Sequence, residues 1–151
     1  MGQHLLSTEA DKLGNEIQIM KTDTLGMSPI YSFFLRQMAD LIDAGFCFPV
    51  TTWDDNKCGA VYAIQDNKVL GHIVYEHRPH NNMLWITLSA VDSSCRGRGI
   101  YTILHKHFEA VAREMGCWAI SSHVHKDNLV RQASCESAGM KPIFYFMGKK
   151  L

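Results

Sequence analysis

The segment Val91-Asp92-Ser93-Ser94-Cys95-Arg96-Gly97-Arg98-Gly99-Ile100-Tyr101 carries the most suggestive spacing in the chain. Two arginines alternate with two glycines just before a helical pattern. Amides at a helix N-terminus have no partner inside the helix, and the helix dipole places partial positive charge there. Gly97 and Gly99 lack a β-carbon, so phosphate oxygens can approach the backbone, and Arg96 and Arg98 add positive charge. The pattern predicts a cradle for a pyrophosphate at residues 96–101. It is not a dinucleotide fingerprint, because Thr102 stands where a third glycine is needed, and no Gly-Lys-Ser/Thr follows to make a Walker loop. The competing reading is a plain glycine turn with two solvated arginines. The apolar strand before it and the amphipathic helix after it favour the cradle.

Proton-transfer candidates lie elsewhere. His123 and His125 alternate on an expected strand, which puts both on one face, and either could act as a base near neutral pH. Only Asp127 is near enough in sequence to complete a metal site, so no metal is expected. Glu76, near a strand end, is a second base candidate. His105 and His107 fall on different faces of a helix. Trp85, Tyr62, Tyr75 and residues 144–146 read mainly as core, whereas Trp53, in an irregular segment, is the aromatic best placed to meet an acceptor.

These residues need a scaffold. Residues 16–21 (EIQIMK) alternate as a strand. Ser28-Pro29 marks a helix start, with Ile30, Phe33, Phe34, Met38, Leu41 and Ile42 at helical spacing and Gly45 ending the run. Two strands, 59–65 and 68–76, flank an Asp66-Asn67 turn. The apolar run 83–91 reads as a central strand, and a helix over 99–115 follows with Ile100, Ile103, Leu104, Phe108 and Val111 on one stripe. A strand at 117–124, a helix at 128–137 and a last strand or hairpin at 141–147 complete the order β-α-β-β-β-α-β-α-β. That order predicts an α/β fold, a mixed central sheet flanked by helices.

The 151 residues, 46% hydrophobic and 20% charged, suit one domain spanning 1–151. Net charge is zero but divided. Residues 1–95 hold 6 Lys/Arg and 11 Asp/Glu, while residues 96–151 hold 9 and 4. A basic back half fits a polyanionic ligand. No dense basic stripe with interleaved aromatics appears, which disfavours a nucleic acid partner. No apolar run reaches membrane-spanning length. Five cysteines without a C-x-x-C pair predict free thiols in a cytoplasmic setting.

With its loop Arg96-Gly97-Arg98-Gly99-Ile100-Tyr101 after Leu88-Ser89-Ala90-Val91, then Asn128 and Gly139-Met140 at matching spacings, the chain resembles the GNAT N-acetyltransferase superfamily. The resemblance runs from about Gly59 to the C-terminus. It departs from the family pattern at Tyr101, where a small residue is usual, and at Ser93, where proline is frequent. It implies that two central parallel strands splay apart around the pantetheine arm of acetyl-CoA. Ser89, Ala90 and Val91 would pair with that arm, with a bulge near Ser89 and a backbone amide, that of Ala90, aimed at the thioester oxygen. Residues 96–101 and Asn128 would complete the coenzyme A site.

The resemblance further implies direct acyl transfer to a primary amine, on a small molecule or a protein, with one group taking the amine proton and another protonating the leaving thiolate. The family often places a tyrosine acid on the short last helix. Cys135 stands there instead, beside Ser134, which could orient water. A small core residue is the competing reading of Cys135. Two further functions stay open: a non-catalytic acyl-CoA-binding or interaction domain, and acylation of a nucleic acid or aminoacyl-tRNA amine. A homodimer is also left open.

Overall fold

Residues 2–47 and 54–151 are described by the computed structural model. Its first element pair is an antiparallel hairpin, β1 (Gln3–Ala10) with β2 (Glu16–Thr22). β2 is the strand expected from EIQIMK, and its Ile17 and Ile19 are buried. β1 was not expected. Its side chains are exposed or half-buried throughout, so an edge strand held by backbone pairing leaves no apolar alternation to read.

β3 (Cys58–Gln65) and β4 (Lys68–Arg78) form the anticipated hairpin. Asp66 and Asn67 at its tip both have positive φ, 49° and 63°, as a two-residue turn matched to strand twist requires. β5 (Met83–Val91) adds antiparallel to β4, and β6 (Ala119–Ser122) adds parallel to β5. The six strands lie in sequence order across one mixed sheet.

Three helices flank the sheet: α1 (Tyr31–Asp43), α2 (Ile100–Glu114) and α3 (Leu129–Ser137). One core packs Ile100, Leu104, Phe108 and Val111 of α2 against Ile73, Leu84 and Ile86 of the sheet. A second core packs Phe34 and Met38 of α1 against Tyr62, Val74 and Leu88. Cores on both faces explain why β3 and β4 are nearly continuous apolar runs. Tyr62 and Tyr75 are core residues, as expected.

Three details differ from expectation. α1 begins at Tyr31 rather than at Ser28-Pro29, because the Ser28 hydroxyl donates back to the Leu25 carbonyl at 2.6 Å and so closes a turn. β6 ends at Ser122, which leaves His123 and His125 in the following loop and off any shared strand face. Residues 141–151 form no strand, and Phe144 and Phe146 are exposed. An apolar segment becomes a strand only where a ladder accepts its backbone groups, and none pairs with it here. Trp53 lies outside the described residues.

Candidate active site

The parallel pair lies at one edge of the sheet rather than at its centre, where the family resemblance puts it, and it is short. β5 and β6 match from Met83↔Ala119 to Ile86↔Ser122, and there the pairing stops. The Ser122 hydroxyl donates to the Ile86 carbonyl at 3.3 Å and marks the last join. β5 continues to Val91 while β6 ends, so the two strands part into a wedge walled by residues 87–91 of β5. Of these, residues 88–91 stay paired with β4 on the other side, Ser89 opposite Ile73 and Ala90 opposite His72.

A bulge sits at the apex of the wedge. The register steps from Tyr75↔Ile86 to Val74↔Leu88, which makes Thr87 the extra residue. The sequence placed this bulge near Ser89, two positions further on. Parity alone does not fix which residue of an apolar run is unpaired. The Thr87 hydroxyl is shielded from solvent and has no hydrogen-bond partner among the described residues.

The wedge leads to the glycine loop. Asp92 caps a 3-10 turn, Ser93–Cys95, accepting from the Ser94 amide at 2.9 Å and the Ser94 hydroxyl at 2.5 Å. These bonds from Ser94 hold the Asp92 carboxyl below the usual carboxylate range. Gly97 and Gly99 follow in the left-handed region, φ 79° and 77°, which β-carbon-bearing residues enter only with strain. A β-carbon at Gly97 would point into open space. The Gly97 and Gly99 amides donate to no backbone acceptor among the described residues. α2 starts directly after them at Ile100 and contributes its own free first-turn amides.

The two arginines of the loop play different parts. Arg96 and Arg36 of α1 both line a depression of about 530 Å³ between that helix and the loop. Arg98 is turned into the protein. Its Nε donates to Asp11 Oδ2 at 2.6 Å and its Nη2 to Gln65 Oε1 at 2.9 Å. Burial works to raise the Asp11 carboxyl, but Arg98 and the amides of Asn15 and Leu13 outweigh it and hold the group at about 2. Tyr101 also points away from the loop, its hydroxyl accepting from Arg131 Nη1 at 2.7 Å.

α3 packs beside this opening. Asn128 is its N-cap, with Oδ1 accepting from the Arg131 amide at 3.1 Å. Cys135 is buried, and burial pushes its thiol up. Ser134 is half-buried, and its hydroxyl donates to the Val130 carbonyl one turn back at 3.1 Å.

Glu76 and His123 both neighbour Trp85, near the apex of the wedge. Glu76 pairs in register with Trp85, and the His123 ring lies 4.4 Å from the Trp85 ring, edge-on. Arg78 stacks on the other component of this cluster, 4.5 Å from the Trp85 centroid and 3.8 Å from the Glu76 carboxylate. Burial, then the Arg78 charge, lowers the His123 pKa, so its imidazole is neutral at pH 7. His125 faces elsewhere, with its ring 5.4 Å from that of Phe46 and its Nδ1 accepting from the Asp127 amide at 3.1 Å. Sequence reasoning missed Arg78, Arg131 and Arg36, since nothing in local spacing separates a stacked or lining arginine from a solvated one.

A mixed sheet whose parallel strands part at one edge, beside a glycine loop at a helix N-terminus, defines an acyltransferase scaffold. The model of the acetyltransferase (GNAT) family matches residues 27–140, and the chain belongs to that family. Solved structures share the fold. The ribosomal-protein-alanine N-acetyltransferase of Brucella melitensis biovar Abortus 2308 superposes with a TM-score of 0.67 at 14% identity, covering 89% of this chain and 99% of its own. The aminoglycoside N-acetyltransferase AAC(6')-Iy in complex with CoA gives a TM-score of 0.62 at 16% identity, covering 88% and 99%. An aminoglycoside acetyltransferase from an uncultured soil metagenomic sample, in complex with trehalose, gives 0.61 at 15% identity, covering 89% and 96%. No curated protein sequence matches the chain.

Proposed function

We propose that the chain transfers an acetyl group from acetyl-CoA to a primary amine carried by a small molecule or a protein. The observation that carries this reading is the wedge between β5 and β6, opening onto the free amides at residues 97–101. The donor set fits the ligand. Unpaired strand edge suits the amides of a pantetheine arm, and loop amides with the Arg96 charge suit a diphosphate. Ser89, Ala90 and Val91 would hold the arm, and Arg96, Gly97, Arg98, Gly99, Ile100 and Tyr101 the diphosphate, Arg98 and Tyr101 through their backbone. Asn128 closes the site from α3. Acetyl-CoA supplies an activated acyl thioester.

The protein's own groups handle protons. His123, neutral by virtue of burial and Arg78, accepts the proton of the attacking amine, and Glu76 across Trp85 is the second candidate base. Cys135 keeps its proton at neutral pH and can donate it to a leaving thiolate. Ser134, bonded to its own helix, would act only by orienting water. Five free thiols and the lack of any described helix long and apolar enough to cross a membrane fit a cytoplasmic setting.

A thiol-release assay across a panel of primary amines, paired with calorimetric titration of acetyl-CoA, tests the proposal. Acceptor-dependent release supports it, and no binding at millimolar acetyl-CoA sinks it. Binding without acceptor-dependent release favours the second reading, an acyl-CoA-binding domain without catalysis. The buried Cys135 at the position of the family's acid is the observation behind that reading.

A further inference from the structure

The β1–β2 hairpin lies outside residues 27–140 of the family match, yet its turn is built onto the glycine loop. Asp11 sits at the bend with its side chain excluded from solvent. Its Oδ1 accepts from the amides of Leu13 at 2.8 Å and Asn15 at 2.9 Å, while Oδ2 accepts from Arg98 Nε at 2.6 Å. The Lys12 amide donates to the Arg98 carbonyl at 3.0 Å. Hairpin and loop are thus joined through both backbone and side chain.

This joint directs the Lys12 side chain. Its stem lies over Gly99, so close that a β-carbon there would stand 3.0 Å from Cγ and 3.1 Å from Cε. Gly99 is therefore glycine in this chain for two reasons, its positive φ and the lysine covering it. Lys12 is exposed and makes no salt bridge among the described residues. The stem runs as far as Cε beside Gly99, the N-cap of α2, where helix polarity already favours an anion. Arg98, the charge expected to serve the phosphates, is neutralised by Asp11.

We propose that Lys12 binds the diphosphate of acyl-CoA, held in position by the Asp11–Arg98 pair, so that the N-terminal hairpin is part of the cofactor site. The proposal rests on reading residues 96–101 as a diphosphate cradle. One cation beside a diphosphate at a partly solvated surface strengthens binding by about tenfold.

The test compares CoA with pantetheine, which lacks the diphosphate, by NMR or calorimetric titration of the full chain. Lys12→Gln should weaken CoA about tenfold and Lys12→Glu about a hundredfold, with Lys12→Arg near wild type. Pantetheine affinity and melting temperature should stay unchanged in all three. Equal CoA affinity in wild type and Lys12→Glu overturns the proposal. Parallel loss of CoA and pantetheine also overturns it, because that pattern marks a merely structural lysine. Failure of the wild-type chain to bind CoA is a different result, which removes the cradle and this proposal with it.

Discussion

Tyr101 and Arg131 are thirty positions apart and share a 2.7 Å hydrogen bond that ties the first turn of α2 to α3. The guanidinium also stands 5.7 Å from the Tyr101 ring centroid. The bulky residue that departs from the family's loop pattern is thus a strut between two helices. Tyr101→Phe keeps the ring and removes the acceptor from a partly buried arginine whose Nη2 already lacks a partner. The expected cost is about 1 kcal/mol, or a few degrees in Tm. Urea unfolding measures it, and an unchanged midpoint refutes the strut.

His123 is the favoured base because its imidazole is kept neutral. His123→Gln should lower kcat/KM for the amine at least a hundredfold while leaving the KM for acetyl-CoA within about twofold. Since burial and Arg78 lower its pKa, the acid limb of the wild-type rate profile should fall below pH 6.5, after allowance for amine ionisation. Should Glu76→Gln produce the larger loss instead, the two roles exchange.

Cys135 tests the other proton. Its buried thiol, raised by desolvation, should react with iodoacetamide at pH 7.5 more slowly than free cysteine does. Cys135→Ala should fold and bind acetyl-CoA but lose about tenfold or more in kcat. A variant with full kcat shows that the leaving thiolate takes its proton from water.

His72 sets a pH limit on the fold. It is fully buried on β4 against the rings of Phe33 and Phe34, neither ring nitrogen has a partner among the described residues, and burial lowers its pKa to about 3. The unfolded histidine takes up a proton below about pH 6.5 while the folded one does not. Stability therefore falls as pH drops from 6.5 towards 3, by about 1.4 kcal/mol per unit for this group alone. Between pH 6.5 and 5 the loss should be about 2 kcal/mol. His72→Leu should remove that part of the slope, and identical slopes in the two proteins would show that the native imidazole takes up a proton as readily as the unfolded one.

Those sites were unevenly legible from the chain alone. The loop at 96–101 and the helix behind it stand out because long amphipathic periodicity and paired glycines are local signals. So does the β3–β4 hairpin, whose Asp66-Asn67 turn is written in two residues. Arg98 could not be read this way. Its partner Asp11 is 87 positions distant, and nothing near either residue marks them as a pair. β1 escaped notice because an edge strand can be polar on both faces. The run at 141–147 failed the other way, with strand composition but no ladder. His123 and His125 were grouped because alternation implies one face, yet β6 ends at Ser122, before either of them.

The extra residue at Thr87 works like a frameshift in side-chain direction. Ahead of it Leu84 and Ile86 feed the layer beneath α2, and after it the even-numbered Leu88 feeds the layer beneath α1. Excising that single residue would leave Tyr75 opposite Ile86 and Val74 opposite Leu88 in a regular ladder, so Leu88 to Val91 would keep their faces and only the bulge would go. The length of β5 is therefore free to drift at one place: a residue can be lost at Thr87 without turning the strand over, whereas a single insertion or deletion elsewhere along it would send every residue beyond to the opposite face.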